Sequence, residues 1–470
     1  MKNNTPQIFT NVDIIDAASD GNAVGKTADN LILFVPYGAP GDNVDVQVTK
    51  KRKSFKYGKI IAFNKLSENR VEPKCEHYTM CGGCKWQHLN YKSQLFFKQK
   101  QVADALTRIA KVNVDDVLPI LPSDNTEYYR NKLEFTFSDF RWMPEGEFKS
   151  GEPRNLNGLG FHLPGMFDRV IDVKKCYLQA YPSDDIRLFV KNYALEHELT
   201  FYNVKTHSGL LRNLMIRQSN TGGLMVVLVV NYNAEKEFLP LLSELQNAFP
   251  QITSLMYIIN DKFNDDYADR DVKLFYGEDH LVEEMENFKF IVSPKSFYQT
   301  NHEQAYKLYK VAREFANLTG KEIVYDLYTG TGTIAVFVSA KAKKVVGIEY
   351  VEQAVNNAVV NAEINGINNL SFFTGDMAKI LTEDFIAKNG TPDVIITDPP
   401  RAGMHPDVIN QILKCSPERI VYVSCNPATQ ARDIALLSEK YDVKKVQPVD
   451  MFPHTQHVEN VALLELITNH

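Results

Sequence analysis

Glu322-Ile323-Val324-Tyr325-Asp326-Leu327-Tyr328-Thr329-Gly330-Thr331-Gly332-Thr333-Ile334-Ala335 reads as a short apolar strand ending on an acid, a glycine turn, and the start of a helix. The same strand-then-acid pattern recurs downstream. Glu349 closes Val345-Val346-Gly347-Ile348, Asp376 follows Leu370–Gly375, Asp398 follows Val394-Ile395-Ile396-Thr397, and Cys425 comes just after Ile420-Val421-Tyr422-Val423. The intervals from Asp326 are 23, 27, 22 and 27 residues, each enough for one strand and one crossover helix. Right-handed βαβ units place successive strand C-termini on one edge of a parallel sheet, where ligands bind. Asp326, Glu349, Asp376, Asp398 and Cys425 should therefore share an edge. The chain closes with Val443–Val449, a loop and Val461–Leu466, a hairpin-like end to the sheet.

Proline follows the strand ends at Asp398-Pro399-Pro400-Arg401 and Ser424-Cys425-Asn426-Pro427. It bars an immediate regular continuation and holds the preceding side chain at the rim. A thiol held there is either a packed strand-end cysteine or a nucleophile, since the thiolate is the strongest ordinary side-chain nucleophile near neutral pH. Gly330-Thr331-Gly332-Thr333-Ile334-Ala335 also satisfies the dinucleotide G-x-G-x-x-A pattern, with Glu349 available for a ribose. A nicotinamide enzyme is thus a rival reading. Asp326, four residues ahead of the first glycine, suits a cationic ligand region better than a pyrophosphate. That acid and the closing hairpin favour S-adenosylmethionine.

Upstream of the doubly wound part lie two other regions. Residues 1–65 contain short apolar runs separated by Gly21, Gly25, Gly38 and Gly41, which predicts a five-stranded, OB-like β-barrel. Their order resembles a TRAM domain, an RNA-binding barrel. Residues 66–290 read as an α+β domain, with a strand at Leu133–Phe137, a hairpin of Leu211–Arg217 and Leu224–Val230 around Thr221-Gly222-Gly223, and a helix at Leu239–Ala248. Residues 291–470 form the third region. The whole is an α/β chain of 470 residues with net charge −6, unevenly spread. Residues 1–110 carry sixteen Lys/Arg against ten Asp/Glu, much of the excess in Lys50-Lys51-Arg52-Lys53, Lys56 and Lys59 around Phe55 and Tyr57. Basic residues interleaved with aromatics suit phosphate neutralisation and base stacking, although a solvated charged edge is the competing reading. No apolar stretch exceeds the seven residues Leu224–Val230, and Met1–Pro6 leads to no apolar segment. The expectation is a cytoplasmic protein with no signal peptide and no membrane span.

Five ordered motifs together resemble the RNA (uracil-5-)-methyltransferase family over nearly the whole chain. They are Ser293-Pro294-Lys295-Ser296-Phe297-Tyr298-Gln299-Thr300-Asn301, Asp326–Gly332, Asp398–Arg401, Ser424–Pro427 and His457-Val458-Glu459-Asn460. The resemblance implies a Rossmann-like class I S-adenosylmethionine-dependent methyltransferase domain at 291–470. It assigns Cys425 as the nucleophile that adds to carbon 6 of a flipped uracil, and Glu459 as the base that removes the carbon 5 proton. Glu459, just ahead of an antiparallel last strand, should lie at the same edge as Cys425. Gln299, Tyr328, Glu349 and Asp398 would contact S-adenosylmethionine, and Asp376 would reach the adenine. Amino-methylating enzymes with a Pro-Pro motif usually follow it with an aromatic; here Arg401 and Ala402 follow.

Cys75-x5-Cys81-Gly82-Gly83-Cys84, with Cys176 downstream, supplies four thiols that suit zinc or an iron–sulfur cluster. The spacing is not the C-x3-C-x2-C of radical enzymes. Within the family, the ribosomal-RNA branch holds a 4Fe–4S cluster on such a set, and the transfer-RNA branch typically lacks both cluster and barrel. The resemblance therefore implies a 4Fe–4S cluster on Cys75, Cys81, Cys84 and Cys176, with 23S ribosomal RNA as substrate; the alternatives are transfer RNA, or an iron–sulfur RNA-binding protein with an inactive methyltransferase domain, which the presence of both Cys425 and Glu459 disfavours. Neither DNA nor membrane is an expected partner, and a monomer is expected. Tyr128-Tyr129-Arg130-Asn131-Lys132 resembles an RNA-facing segment in which Arg130 and Lys132 would meet phosphate, while Phe297 would hold the extruded base. Cys415 reads as a core residue.

Overall fold

The computed structural model describes residues 6–143, 145–149 and 155–468; most of the Met1–Pro6 stretch weighed above as a leader lies outside them. Strands β1 (Ile8–Ala17), β2 (Ala23–Lys26), β3 (Ile32–Val35), β4 (Asn43–Lys51) and β5 (Phe55–Lys65) close a barrel in the order β1-β2-β3-β5-β4. Alternation makes the core: Val12 and Ile14, Leu33 and Val35, and Val44 and Val46 point inward. Gly58 is required there, because a Cβ would sit 2.2 Å from Val46 Cγ1. The Lys50–Lys53 run lies exposed at the β4–β5 turn. The nearby Phe34, Phe55 and Tyr57 rings pack with centroids 5.2–5.6 Å apart.

The central sheet uses β6 (Lys132–Ser138), β7 (Gly158–Leu163), β8 (Met166–Asp172), β9 (Leu211–Gln218), β10 (Leu224–Val230), β11 (Ser254–Ile259) and β12 (Val272–Gly277), ordered β12-β11-β10-β9-β6-β7-β8. The expected hairpin is β9–β10, turning through Gly222 at φ 88°. The expected helix begins earlier than the apolar pattern marks, spanning Glu235–Ala248. It and the helix Ser183–Glu196 cover one face, burying Ile186, Val190, Phe238, Leu241 and Leu245. A two-stranded ribbon, β13 (Leu281–Met285) and β14 (Phe288–Val292), leads into the last region.

There, β15 (Ile323–Leu327), β16 (Lys344–Glu349), β17 (Leu370–Thr374), β18 (Val394–Thr397), β19 (Arg419–Ser424), β20 (Tyr441–Val449) and β21 (Glu459–Leu466) form a sheet ordered β17-β16-β15-β18-β19-β21-β20. The first five are parallel, and β21 is antiparallel to both β19 and β20. From β15 the chain winds outward to β16 and β17, then returns to β18 on the other side. That reversal opens a crevice beyond the C-terminal ends of β15 and β18. Successive residues of each strand face opposite cores: Val324, Ile396, Val421 and Val423 pack with the helix His302–Ala316, and Tyr325, Ile395, Ile420 and Tyr422 with the helices Pro406–Cys415 and Pro427–Leu437. The helix Tyr91–Ala105, which follows the cysteine loop in the chain, also joins this second face through Val102, with Leu106 just beyond it. Among the described residues no helix is long and apolar enough to cross a membrane.

Candidate active site

A cavity of about 1330 Å³ occupies the crevice at the switch between β15 and β18. Cys425 is the first residue beyond β19. The next residue, Asn426, caps a helix by accepting the Ala428 N–H (3.2 Å), and Pro427 fills the first helical position, where its missing N–H is harmless. The strand thus stops at Ser424 and leaves the thiol at the rim. Ser424 pairs with Asn460, and Val449 pairs with Glu459, so the antiparallel register sets Glu459 next to Cys425. Glu459 opens β21 itself and is only 6% exposed. Both residues line the cavity, together with Asp398 and Arg401.

The electrostatics of this group are coupled. Burial, then the Glu459 and Asp398 carboxylates, push the Cys425 thiol up to about 11. Burial and Asp398 push Glu459 up to about 8, and burial raises Asp398 to about 7. Arg401 opposes the rise at both Cys425 and Glu459. Three acidic groups lining one cavity disfavour one another's ionisation, with Arg401 as the opposing positive charge. An arriving positive charge would draw a proton off. A carboxyl poised near neutrality is also suited to accept and release one. Arg401 was quoted in its motif but given no role by sequence reasoning; its proximity to Cys425 is visible only in the fold. His457, likewise inside a motif, lines the cavity and is pushed down to about 4 by burial and by the Arg401, Lys98, Lys85 and Arg130 charges.

The other half of the cavity is built from the opening motif. Gly332 has φ 78°, and a Cβ there would come within 2.9 Å of Ala358 Cβ and 3.0 Å of the Phe372 ring, so only glycine fits. Tyr328 holds the left-handed region at φ 63° without being glycine, a strained conformation of the kind stored at functional sites. Glu349 accepts the Gly330, Tyr350 and Val351 N–H groups at 3.1, 2.8 and 3.0 Å. Two carboxylate oxygens have about four acceptor sites, so capacity remains for a ligand hydroxyl. Gln299, Tyr328, Glu349 and Asp398 all line the cavity; Asp376 does not. Asp376 caps the short helix Met377–Ile380 through the Ala378 N–H and pairs with Lys379 at 3.4 Å. Asp326 is buried behind the glycine turn, accepts the Thr329 hydroxyl at 2.5 Å and leaves its other oxygen without a partner.

The Phe297–Thr300 segment is braced by the central sheet. Asn131 donates to the Gln299 carbonyl (3.0 Å), and the buried Arg217 donates to the Ser293 and Ser296 carbonyls. Neither brace was legible in the sequence, because each acts across more than 70 residues. Arg130 and Tyr129 line the cavity and Phe297 stands at it, 73% exposed. Lys132 lies outside the lining, largely buried within β6, where its charge is disfavoured. Cys415 is half-buried at the end of its helix.

Cys75, Cys81, Cys84 and Cys176 also line this cavity. Burial raises all four, Cys84 and Cys176 to about 12. Cys81 feels Cys75, Cys84 feels both, and Cys176 feels Cys84 and Cys81. Residues up to 101 apart in the chain are thus brought into one neighbourhood, a donor set suited to a soft metal centre. As placed, no group of three or more His, Cys, Asp or Glu among the described residues is arranged to hold a metal ion.

The tRNA (Uracil-5-)-methyltransferase family matches residues 267–467, and the TRAM domain matches residues 10–61. A Bacteroides thetaiotaomicron protein described as an uncharacterized RNA methyltransferase is 56% identical over 453 residues, covering 96% of this chain and 100% of the relative. A Porphyromonas gingivalis protein of the same description is 53% identical, covering 96% and 99%. The Pyrococcus abyssi tRNA (uracil-54, C5)-methyltransferase, solved with S-adenosyl-L-homocysteine, superposes with a TM-score of 0.74 at 26% identity, covering 98% of this chain and 100% of that one.

Proposed function

Because this chain belongs to the RNA (uracil-5-)-methyltransferase family and is an S-adenosylmethionine-dependent enzyme, we propose that Cys425 and Glu459 carry out its chemistry on a uridine of 23S ribosomal RNA. The observation that carries the assignment is the strand register that sets the two side by side on one cavity. Carbon 5 of uracil is too electron-poor to attack a methyl sulfonium. The Cys425 thiolate adds to carbon 6, giving an enolate whose carbon 5 is nucleophilic. S-adenosylmethionine supplies the methyl group. Glu459 then removes the carbon 5 proton, the electron pair re-forms the C5–C6 double bond, and the Cys425 sulfur leaves. Arg401 favours the thiolate. Gln299, Tyr328, Glu349 and Asp398 hold the cofactor in this reading. Asp376, which is not among the residues lining the cavity, is proposed to reach the adenine. Residues 1–65 and 66–290 grip the RNA, and 291–470 carry the reaction.

Ionised Glu459 is needed for elimination, and at pH 7 only about a tenth of a group titrating near 8 is ionised. Decay of the covalent protein–RNA adduct should therefore accelerate as pH rises through about 8. Quenched-flow decay that is flat with pH would count against the assignment.

The basic, aromatic-bearing barrel edge and the four thiols support ribosomal RNA. Transfer RNA is the second reading, favoured by a tRNA-modifying neighbour that covers 98% of this chain, barrel region included. The test is methyl transfer from labelled S-adenosylmethionine to 23S ribosomal RNA and tRNA from a deletion strain, followed by mapping of 5-methyluridine. Label confined to 23S RNA supports the proposal; label confined to tRNA overturns it. Cys75, Cys81, Cys84 and Cys176 are proposed to hold a 4Fe–4S cluster that braces the RNA-facing wall. Anaerobically purified protein should be brown, with a band near roughly 400 nm. Colourless protein carrying zinc would replace the cluster with a zinc site.

A further inference from the structure

The nine residues Asp450–Val458 connect β20 to β21 and end at Glu459. A connection of that length at a sheet edge is ordinarily mobile. Here five consecutive carbonyls are each taken by a donor from outside the connection. Asp450 accepts from Gln304 Nε2 (2.7 Å), Met451 from Asn301 Nδ2 (2.9 Å), Phe452 from Lys98 Nζ (2.9 Å) and Pro453 from Tyr129 Oη (3.0 Å). His454 accepts from the Lys85 and Trp86 N–H groups, both at 2.9 Å. The His454 N–H donates to Gln94 Oε1 (2.7 Å), holding a residue with φ 65° in a conformation that non-glycine residues resist. The Asp450 carboxylate, fully buried, accepts from Lys98 Nζ (2.5 Å) and Tyr91 Oη (2.8 Å). Lys98 and Gln94 are themselves fully buried on the helix Tyr91–Ala105, and neither lines the cavity. Lys85 and Trp86 directly follow Cys84 and also bond the barrel, through Lys85 Nζ to the Asp20 carbonyl and Trp86 Nε1 to that of Gly21.

Polar groups this deeply buried are held in one arrangement, since any other leaves them without partners. We propose that Lys98 and Gln94 are positioning residues for Glu459, so that the N-terminal half of the chain sets the base for proton removal. The inference rests on the reading of Glu459 as that base. Loosening the connection displaces a proton acceptor that must lie within hydrogen-bond reach of carbon 5, while Cys425, anchored by β19 and its own helix cap, keeps its place.

The test compares Gln94→Met and the charge-neutral pair Lys98→Met/Asp450→Asn with the wild-type chain. The substrate is transcribed 23S RNA, or transcribed tRNA should that be the acceptor. First-turnover formation of S-adenosylhomocysteine reports addition and methyl transfer; the lifetime of the denaturation-resistant protein–RNA adduct reports elimination. Expected is an adduct lifetime lengthened at least about tenfold, with the first turnover within about threefold of wild type. Equal slowing of both steps, or no change in either, overturns the proposal. Gln94→Met removes no charge, so it serves should the double variant fail to fold. Glu459→Gln run alongside separates the two claims. Absence of an adduct from Glu459→Gln removes the base assignment, whereas an adduct from it but not from Gln94→Met removes only the positioning role.

Discussion

Cys425→Ala is expected to lower methyl transfer by at least about a thousandfold while leaving RNA and S-adenosylmethionine binding within about twofold. The substitution removes one sulfur from a half-buried rim position, so stability should change by no more than about 1 kcal/mol. The four other cysteines lining the cavity are those proposed to hold the 4Fe–4S cluster, which leaves none of them free as a nucleophile. Single-turnover transfer of labelled methyl, paired with filter binding of RNA, checks the prediction. Retained turnover would remove covalent catalysis from this enzyme.

Glu459→Gln should separate the two halves of the reaction. The amide preserves size but accepts no proton at carbon 5, so the first methyl transfer proceeds and the methylated adduct persists at least about a hundredfold longer than in the wild type. Denaturing gels after incubation with labelled RNA would reveal a shifted band; prompt release of methylated RNA would sink the assignment. A stability signature accompanies it. Burial and Asp398 raise the folded-state titration of Glu459 to about 8 from an ordinary 4.5. Between those values the native state holds the proton more tightly than the unfolded chain, so stability falls as pH rises through this window. Removing the group should make the variant more stable than wild type at pH 8 and above, by a few kcal/mol. Chemical denaturation at pH 5 and pH 8.5 measures the difference.

Several features of this site can be read in the sequence because they are local. Proline after Asp398 and after Cys425 marks where strands stop, and that stop is a property of a few adjacent residues. Glycine at 330 and 332 marks a turn for the same reason. Acids and a thiol at near-regular intervals disclose a sheet edge, since strand-plus-helix units have a characteristic length. Antiparallel closure of the last strand even places Glu459 at the edge of Cys425. Other features escaped because they depend on which surfaces meet. Lys132 sits in an alternating strand that reads as RNA-facing; its side chain is 25% exposed on β6, outside the cavity lining, with Glu134 3.9 Å away. Asp376 obeys the same spacing as Glu349 and Asp398 and also caps the helix Met377–Ile380, a role the spacing does not show.

The amino-acid order alone determined the elements, the parallel winding, the barrel and the place of the Cys425 thiol at a strand end, all of which follow from periodicity, turn chemistry and backbone restriction over short spans. Only the tertiary structure decided how the reacting groups are tuned and held. Arg401 against Cys425, the charge coupling of Glu459 and Asp398, the four cysteines lining the same cavity, and the five bonded carbonyls ahead of Glu459 join residues up to 369 positions apart. Electrostatic coupling and hydrogen-bond satisfaction depend on distance and burial in space, and a linear sequence carries neither.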